Sequence, residues 1–429
     1  MRKYKKPELL VPASSLEVLE TAVVFGADAV YIGGEAYGLR AKAKNFSLEE
    51  MARGIAFAHK RGVKVYVTAN ILAHNEDLEG AEAYFAQLKA LRPDTPDAVI
   101  VSDPGMFLIL RRVWPEAEIH ISTQANSTNC LTYLFWQRQG AKRVVAAREL
   151  SLREIKEIRE KISPETEIES FVHGSLCISY SGRCLLSNFL TGRDANRGAC
   201  THPCRWNYSV TEESRPGEQF PVYENERGTY LFNSKDLCMV EYIPELVDAG
   251  IDSLKIEGRM KTALYVATVT RTYRRALDDY FQSEETYREH MGWYRQEIAK
   301  CTYRQYTTGF YFGKPDRNAQ IYEDSTYIQE YVYLGTIEEE RGAGELWPGN
   351  SQNFPAPDTA LYGVEQRNKF CVGDEVEIMK PTGENIAATV RGIYTRDGEA
   401  VGSAPHSKQK LLLALSEAAA RHDLLRRKA

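Results

Sequence analysis

The chain has 429 residues, with 54 Lys and Arg against 59 Asp and Glu, a net charge of −5 and 43% hydrophobic content. These values suit a globular protein long enough for two domains, and they carry no global charge signal for a polyanion, leaving only a local basic face open. No run of about 18 apolar residues occurs, and the basic start, MRKYKKPELLVPASS, lacks the apolar core of a secretory signal, so a cytoplasmic chain with no membrane partner is expected.

Short apolar runs fall at Glu8–Pro12, Ala29–Gly33, Lys64–Asn70, Ala98–Asp103, Glu118–Gln124, Arg143–Glu149, Glu167–Gly174 and Ser253–Gly258. They are continuous rather than alternating, the pattern of strands buried on both faces of a parallel sheet. Helical stretches such as SLEVLETAVVFG, SLEEMARGIAFAHKRG and SLREIKEIREKI separate them. Ser47 and Ser151 stand three residues before Glu50 and Glu154, the spacing of a capping box. Gly26 and Gly62 supply glycine stops. Eight βα units predict an α/β fold, a (βα)8 TIM-like barrel over residues 1–282, rather than an open sheet.

One connection breaks the rhythm. More than fifty residues separate Gly174 from about Tyr230, against a usual two to six. The segment 174–230 follows the seventh strand and therefore lies over the C-terminal face, where barrel active sites form. Residues 283–326 read as a helix and an irregular connector. Over 327–429 the pattern becomes short strands with turn signals at Pro381-Thr382-Gly383 and Asp397-Gly398, predicting a small C-terminal β-barrel. The end, ALSEAAARHDLLRRKA, reads as a degraded last strand with a basic tail of Arg426, Arg427 and Lys428.

The long loop carries Cys177, Cys184, Cys200 and Cys204, half of the eight cysteines, with gaps of six, fifteen and three. Clustered thiols in a chain without a secretory signal point to metal ligands rather than disulfides. No CxxC knuckle of the usual structural zinc kind is present. The wide, irregular spacing favours an iron–sulfur cluster, leaving zinc and unrelated thiols as alternatives. Arg183, Arg193, Arg197 and Arg205 interleave with the thiols and would offset a negative cluster site, or simply solvate the loop. His202 reads as a turn cap, with a ligand or proton donor as the alternative.

Strand ends of a barrel share one pocket. They offer Asn70, Gln124, Arg148, Glu149, His173, Lys255, Glu257 and Arg259, with Arg40 and Asn45 in the loop after the second strand. The cations suit a small dianion held through bidentate contacts. Glu257 could instead pair with Lys255 or Arg259, and His173 could be a satisfied core residue. There is no GxSxG elbow, HExxH helix or GxxxxGK[ST] loop, and His74-Asn75-Glu76-Asp77 is too short and polar for a metalloprotease helix, so no hydrolase is supported.

The stretch from Glu169 through Val172-His173-Gly174 to Cys177, followed by Gly182-Arg183-Cys184 and Ser187, resembles the signature of the peptidase U32 family. GADAVYIGG, NFSLEEM, TGRDANRGACTHPCRW, FNSKDLC and IDSLKIEGRMK are similar to it as well, so the resemblance spans nearly the whole chain. It implies a C-terminal domain similar to a barrel of elongation factor Tu. It is nearest to the family's tRNA-hydroxylating branch, and so implies prephenate-dependent, oxygen-independent formation of 5-hydroxyuridine at the wobble position. A collagenase-like peptidase, or hydroxylation of another base such as an rRNA cytidine, is the alternative. The implied cofactor is a 4Fe-4S cluster on Cys177, Cys184, Cys200 and Cys204, with Cys238 as the alternative fourth ligand. Implied catalytic residues are His173, Glu257 and Lys255. Arg40, Asn45, Asn70, Gln124, Arg148 and Arg259 would bind the small dicarboxylate. Tyr180, Arg193, Arg197, Arg205 and Trp206 would meet the tRNA anticodon stem-loop, and the C-terminal barrel with its basic tail the tRNA body. A homo-oligomer or a hetero-oligomer with a family paralogue is compatible with the same resemblance.

Overall fold

The computed structural model describes residues 5–38, 45–177, 179–206, 209–210, 220–221, 233–315, 320–321, 327–343 and 359–429. The chain forms two compact units, one of residues 1–23, 27–295 and 303–328, the other of 24–26, 296–302 and 329–429.

The first unit is built on eight parallel strands: β1 (Glu8–Pro12), β2 (Ala29–Gly33), β3 (Lys64–Ala69), β4 (Ala98–Val101), β5 (Ile119–Ile121), β6 (Arg143–Val145), β7 (Glu167–Ser175) and β8 (Ser253–Ile256). Each pairs with the next, and β8 pairs with both β7 and β1, closing the barrel. Registers such as Tyr31↔Tyr66 and Tyr66↔Ala98 bring side chains of neighbouring strands into one buried cluster with Leu10, Ala29 and Ile100. The expected capping boxes are present. Ser47 accepts from the Glu50 amide while Glu50 accepts from the Ser47 amide, and Ser151 and Glu154 do the same. Gly26 and Gly62 take the positive φ of 104° and 73° that a glycine stop requires.

A charged layer threads the lumen. Arg143 on β6 donates to Glu8 on β1 at 2.6 Å, to Glu167 at 2.6 Å and to Glu169 at 3.1 Å. Since β1 and β6 are not neighbours, the first of these contacts crosses the barrel interior. Lys255 on β8 donates to Glu169 at 2.6 Å. Burial alone would raise the Glu8 carboxyl, but Arg143 overcomes it and holds it at about 2. Burial works against Glu169 likewise, and Lys255 and Arg143 still keep it below the usual carboxylate range.

After β7 the chain leaves for the long loop, which contains a short helix, Leu186–Thr191, and returns as a strand, Asp236–Cys238. That strand pairs antiparallel with the far end of β7.

In the second unit, six antiparallel strands close a barrel: β9 (Tyr331–Gly342), β10 (Ala360–Glu365), β11 (Glu375–Met379), β12 (Ile386–Tyr394), β13 (Lys410–Leu415) and β14 (Leu424–Lys428), in the order β9-β10-β13-β12-β11-β14. Leu334, Ile337, Val364, Ile378, Val390 and Leu413 belong to its core. The expected last strand forms, but it is neither degraded nor a basic tail. β14 closes the barrel between β9 and β11, and Arg426 is fully buried, donating to Glu297 at 2.7 Å and to Glu377 at 2.6 Å. Arg427 pairs with Asp374. Strand pairing turns Arg426 inward, so it is not a basic surface residue.

Candidate active site

The C-terminal ends of the barrel strands open onto a cavity of about 200 Å³. Asn70 follows β3 and donates to Ser122 Oγ at 3.1 Å. Arg148, after β6, donates to the Ser175 carbonyl at 3.0 Å and lies 4.0 Å from the Phe171 ring centroid. Its other terminus stands 3.9 Å from the Glu257 carboxylate, which the Tyr31 hydroxyl approaches at 3.4 Å. Arg259 donates to Thr68 Oγ1 at 2.9 Å. Lys255 lies 4.5 Å from the Tyr31 ring centroid. All of these residues line the cavity, as does Gln124. Three cations therefore face two carboxylates, Glu257 and Glu169 (the latter beneath the cavity), which suits a small anion. Gly33 makes this packing possible, since a Cβ there would stand 2.5 Å from Arg259 Nη1.

The same cavity is lined by Cys177, Cys184, Cys200 and Cys204, all of them free thiols. Their loop is fixed locally. Ser187 is buried, donates to the Arg193 carbonyl at 2.7 Å and accepts from the Thr201 amide at 3.0 Å, so the short helix is sewn to the Cys200–Cys204 stretch. Asn126, at φ 51°, reaches across from the end of β5 to the Ser181 carbonyl at 3.0 Å. Four unbridged thiols of one loop on one cavity fit a cubane cluster in number and ligand type. Among the described residues no three Cys, His, Asp or Glu side chains converge on a single-ion position. Cys238 is differently placed. It is outside the cavity lining, burial pushes its thiol up to about 12, and the Tyr273 hydroxyl lies 4.0 Å away.

Residues 14–321 match the profile of Peptidase family U32, and residues 350–426 that of the Peptidase family U32 C-terminal domain. The chain belongs to peptidase family U32. It is 43% identical over 405 residues to tRNA hydroxylation protein P1 of Bacillus subtilis (strain 168), covering 94% of this chain and 91% of that protein. It is 37% identical to tRNA hydroxylation protein P of Escherichia coli (strain K12), covering 93% and 92%. The 23S rRNA 5-hydroxycytidine C2501 synthase of the same organism is 39% identical over 63% of this chain and 39% of its own length.

In this U32 protein Asn70, Gln124, Arg148, Lys255, Glu257 and Arg259 meet at the cavity as expected, and Tyr180 joins them half-exposed. His173 does not. It is buried among Tyr265, Tyr273 and Tyr306, outside the cavity lining, and burial lowers its ring to about 3. Its carbonyl instead accepts from the Glu257 amide at 2.8 Å and so helps place that residue. Arg197, its side chain 37% exposed, pairs with Asp77 at 2.7 Å and Glu76 at 2.9 Å. Those carboxylates sit on a four-residue helix, Asn75–Leu78, as short as its polar sequence implied and no metalloprotease helix. His202 lines the cavity at φ 56° with Nδ1 4.0 Å from Cys200 Sγ, and its side chain makes no cap. Asn45 is not among the cavity residues. Trp206 is half-exposed beyond the Pro203–Arg205 turn, and Arg193 is half-buried in the loop. Arg40 and the Arg205 side chain lie outside the described residues. Sequence reasoning missed Glu169, Arg143 and Glu8. The one available signal was charge inside strands that otherwise read as buried.

Proposed function

We propose that this protein is an RNA hydroxylase acting on tRNA, forming 5-hydroxyuridine at the wobble position without dioxygen, with prephenate as oxygen donor and a 4Fe-4S cluster on Cys177, Cys184, Cys200 and Cys204. The observation that carries the reading is that those four thiols line the same cavity as Arg148, Arg259 and Lys255. The names of the relatives support the coarser statement, RNA hydroxylation.

Arg148 and Arg259 would take the carboxylates of a small dianion, each already oriented by a protein acceptor, so little ordering is left for binding. Lys255, held by Glu169, adds a fixed positive charge. Among the described residues lining the cavity Glu257 is the one carboxylate, and it could accept or return a proton at the base. Thiolate ligation by the four cysteines would add a redox-active iron centre beside this pocket. Anticodon-loop bases are already single-stranded, which lowers the cost of inserting the target uridine, and Tyr180 and Trp206 offer stacking faces.

The test pairs anaerobic purification with iron and sulfide analysis, and nucleoside mass spectrometry of tRNA from a strain lacking the gene. Loss of 5-hydroxyuridine-derived nucleosides, restored by the wild-type gene but not by Arg259→Ala, is expected. Stoichiometric zinc without iron would overturn the cluster, and unchanged nucleosides the tRNA role.

A further inference from the structure

We propose that Arg197 and Asp77 are positioning residues for the thiol set, their ion pair clasping the cysteine loop to the barrel mouth. Arg197 Nη2 lies 2.7 Å from Asp77 and Nη1 2.9 Å from Glu76, both on the short helix after β3. Asp77 is itself fixed, since its second oxygen accepts from the His74 amide at 2.8 Å, so the guanidinium grips a carboxylate that cannot swing away. A second link lies beside the first, where the Leu72 amide donates to the Asn196 carbonyl at 3.4 Å.

On the loop side the clasp stands between two of the thiols. Asn196, next to Arg197, reaches the Cys184 carbonyl at 3.5 Å, and Cys200 follows three residues on. A further tether, Asn126 to Ser181, comes from the end of β5 and holds the other side of Cys184. A connection of this length gains much conformational freedom when released, and the Arg197 pair is the charge-assisted tether among these contacts. Because the same β3 loop begins at Asn70 in the cavity wall, the clasp ties the position of Cys184 and Cys200 to that of the pocket.

The inference rests on the four cysteines acting as one set, and its test does not require a loaded cluster. In reduced, metal-free full-length protein, iodoacetamide alkylation is followed cysteine by cysteine by mass spectrometry. Arg197→Ala should speed Cys184 and Cys200 roughly fivefold, leaving Cys238, Cys301 and the thermal midpoint unchanged. The exchanged pair, Asp77→Arg with Arg197→Asp, should restore the slow rates. After anaerobic reconstitution with iron and sulfide, the visible absorption of Arg197→Ala should bleach faster in air than that of wild type. Unchanged rates at Cys184 and Cys200 would overturn the clasp, as would acceleration of all cysteines with a lowered midpoint. If the wild type takes up no iron and sulfide, the cluster reading falls while the alkylation rates still decide the clasp.

Discussion

Cys204 and Cys238 are both cysteines with plausible spacing, but they sit in opposite chemical settings. Cys204 lines the cavity with three other thiols, whereas Cys238 is on the strand beside β7 and outside that lining. A cluster draws its thiolates from side chains that share one site. Cys204→Ser should therefore abolish iron and sulfide uptake while Cys238→Ser retains it, and elemental analysis of the two purified variants checks this. His173 gives a pH prediction. Its folded value of about 3 lies below the unfolded value near 6.5. Between these the unfolded chain binds the extra proton, so stability is full above about pH 6.5 and falls as pH drops toward 3. Thermal midpoints measured from pH 7 to pH 4 should fall less steeply in His173→Gln than in wild type. The imidazole was legible in the sequence as a strand-end residue. Its enclosure by Tyr265, Tyr273 and Tyr306 was not, because two of those tyrosines lie a hundred or more residues further along the chain.

Strands and helices were the most legible elements, because their signals are local. The continuous apolar runs became β1 to β8, and Ser47 and Ser151 cap the helices they precede. Ser151→Ala should cost about 1 kcal/mol, read as a shift in denaturant midpoint. At β2 the requirement comes from elsewhere in the fold. Gly33 is needed because Arg259 packs against it from beyond β8, so Gly33→Ala should leave the barrel folded but displace the guanidinium. On the proposed function, tRNA hydroxylation by that variant should fall roughly tenfold or more, with the circular dichroism spectrum unchanged. The four-residue helix Asn75–Leu78 escaped sequence reading because nothing in its polar pattern shows a partner, and its partner Arg197 is 120 residues away.

At the scale of the whole molecule, the C-terminal barrel shows how closure changes the meaning of a residue. Leu-Leu-Arg-Arg-Lys reads as a basic tail, yet pairing β14 with β9 and β11 sends Arg426 to a fully buried site between Glu297 and Glu377. Arg426→Ala would take the guanidinium from Glu297, which is itself 2% exposed and keeps Lys300 at 3.3 Å and Asn385 at 3.1 Å, and should cost about 2–3 kcal/mol, measured by chemical denaturation. No helix among the described residues is long and apolar enough to cross a membrane. By itself the sequence determined the (βα)8 pattern, the position of the long loop over the C-terminal face and the cysteines it carries, since periodicity, capping and loop length are properties of neighbouring residues. Only the tertiary structure decided that Cys238 stands apart from the other four thiols, that Arg197 is paired with Asp77 and Glu76, and that Arg143 and Glu169 are buried together in one charged layer. Each of those depends on a partner brought in from a distant strand, and burial and charge pairing have no meaning until the barrel has closed.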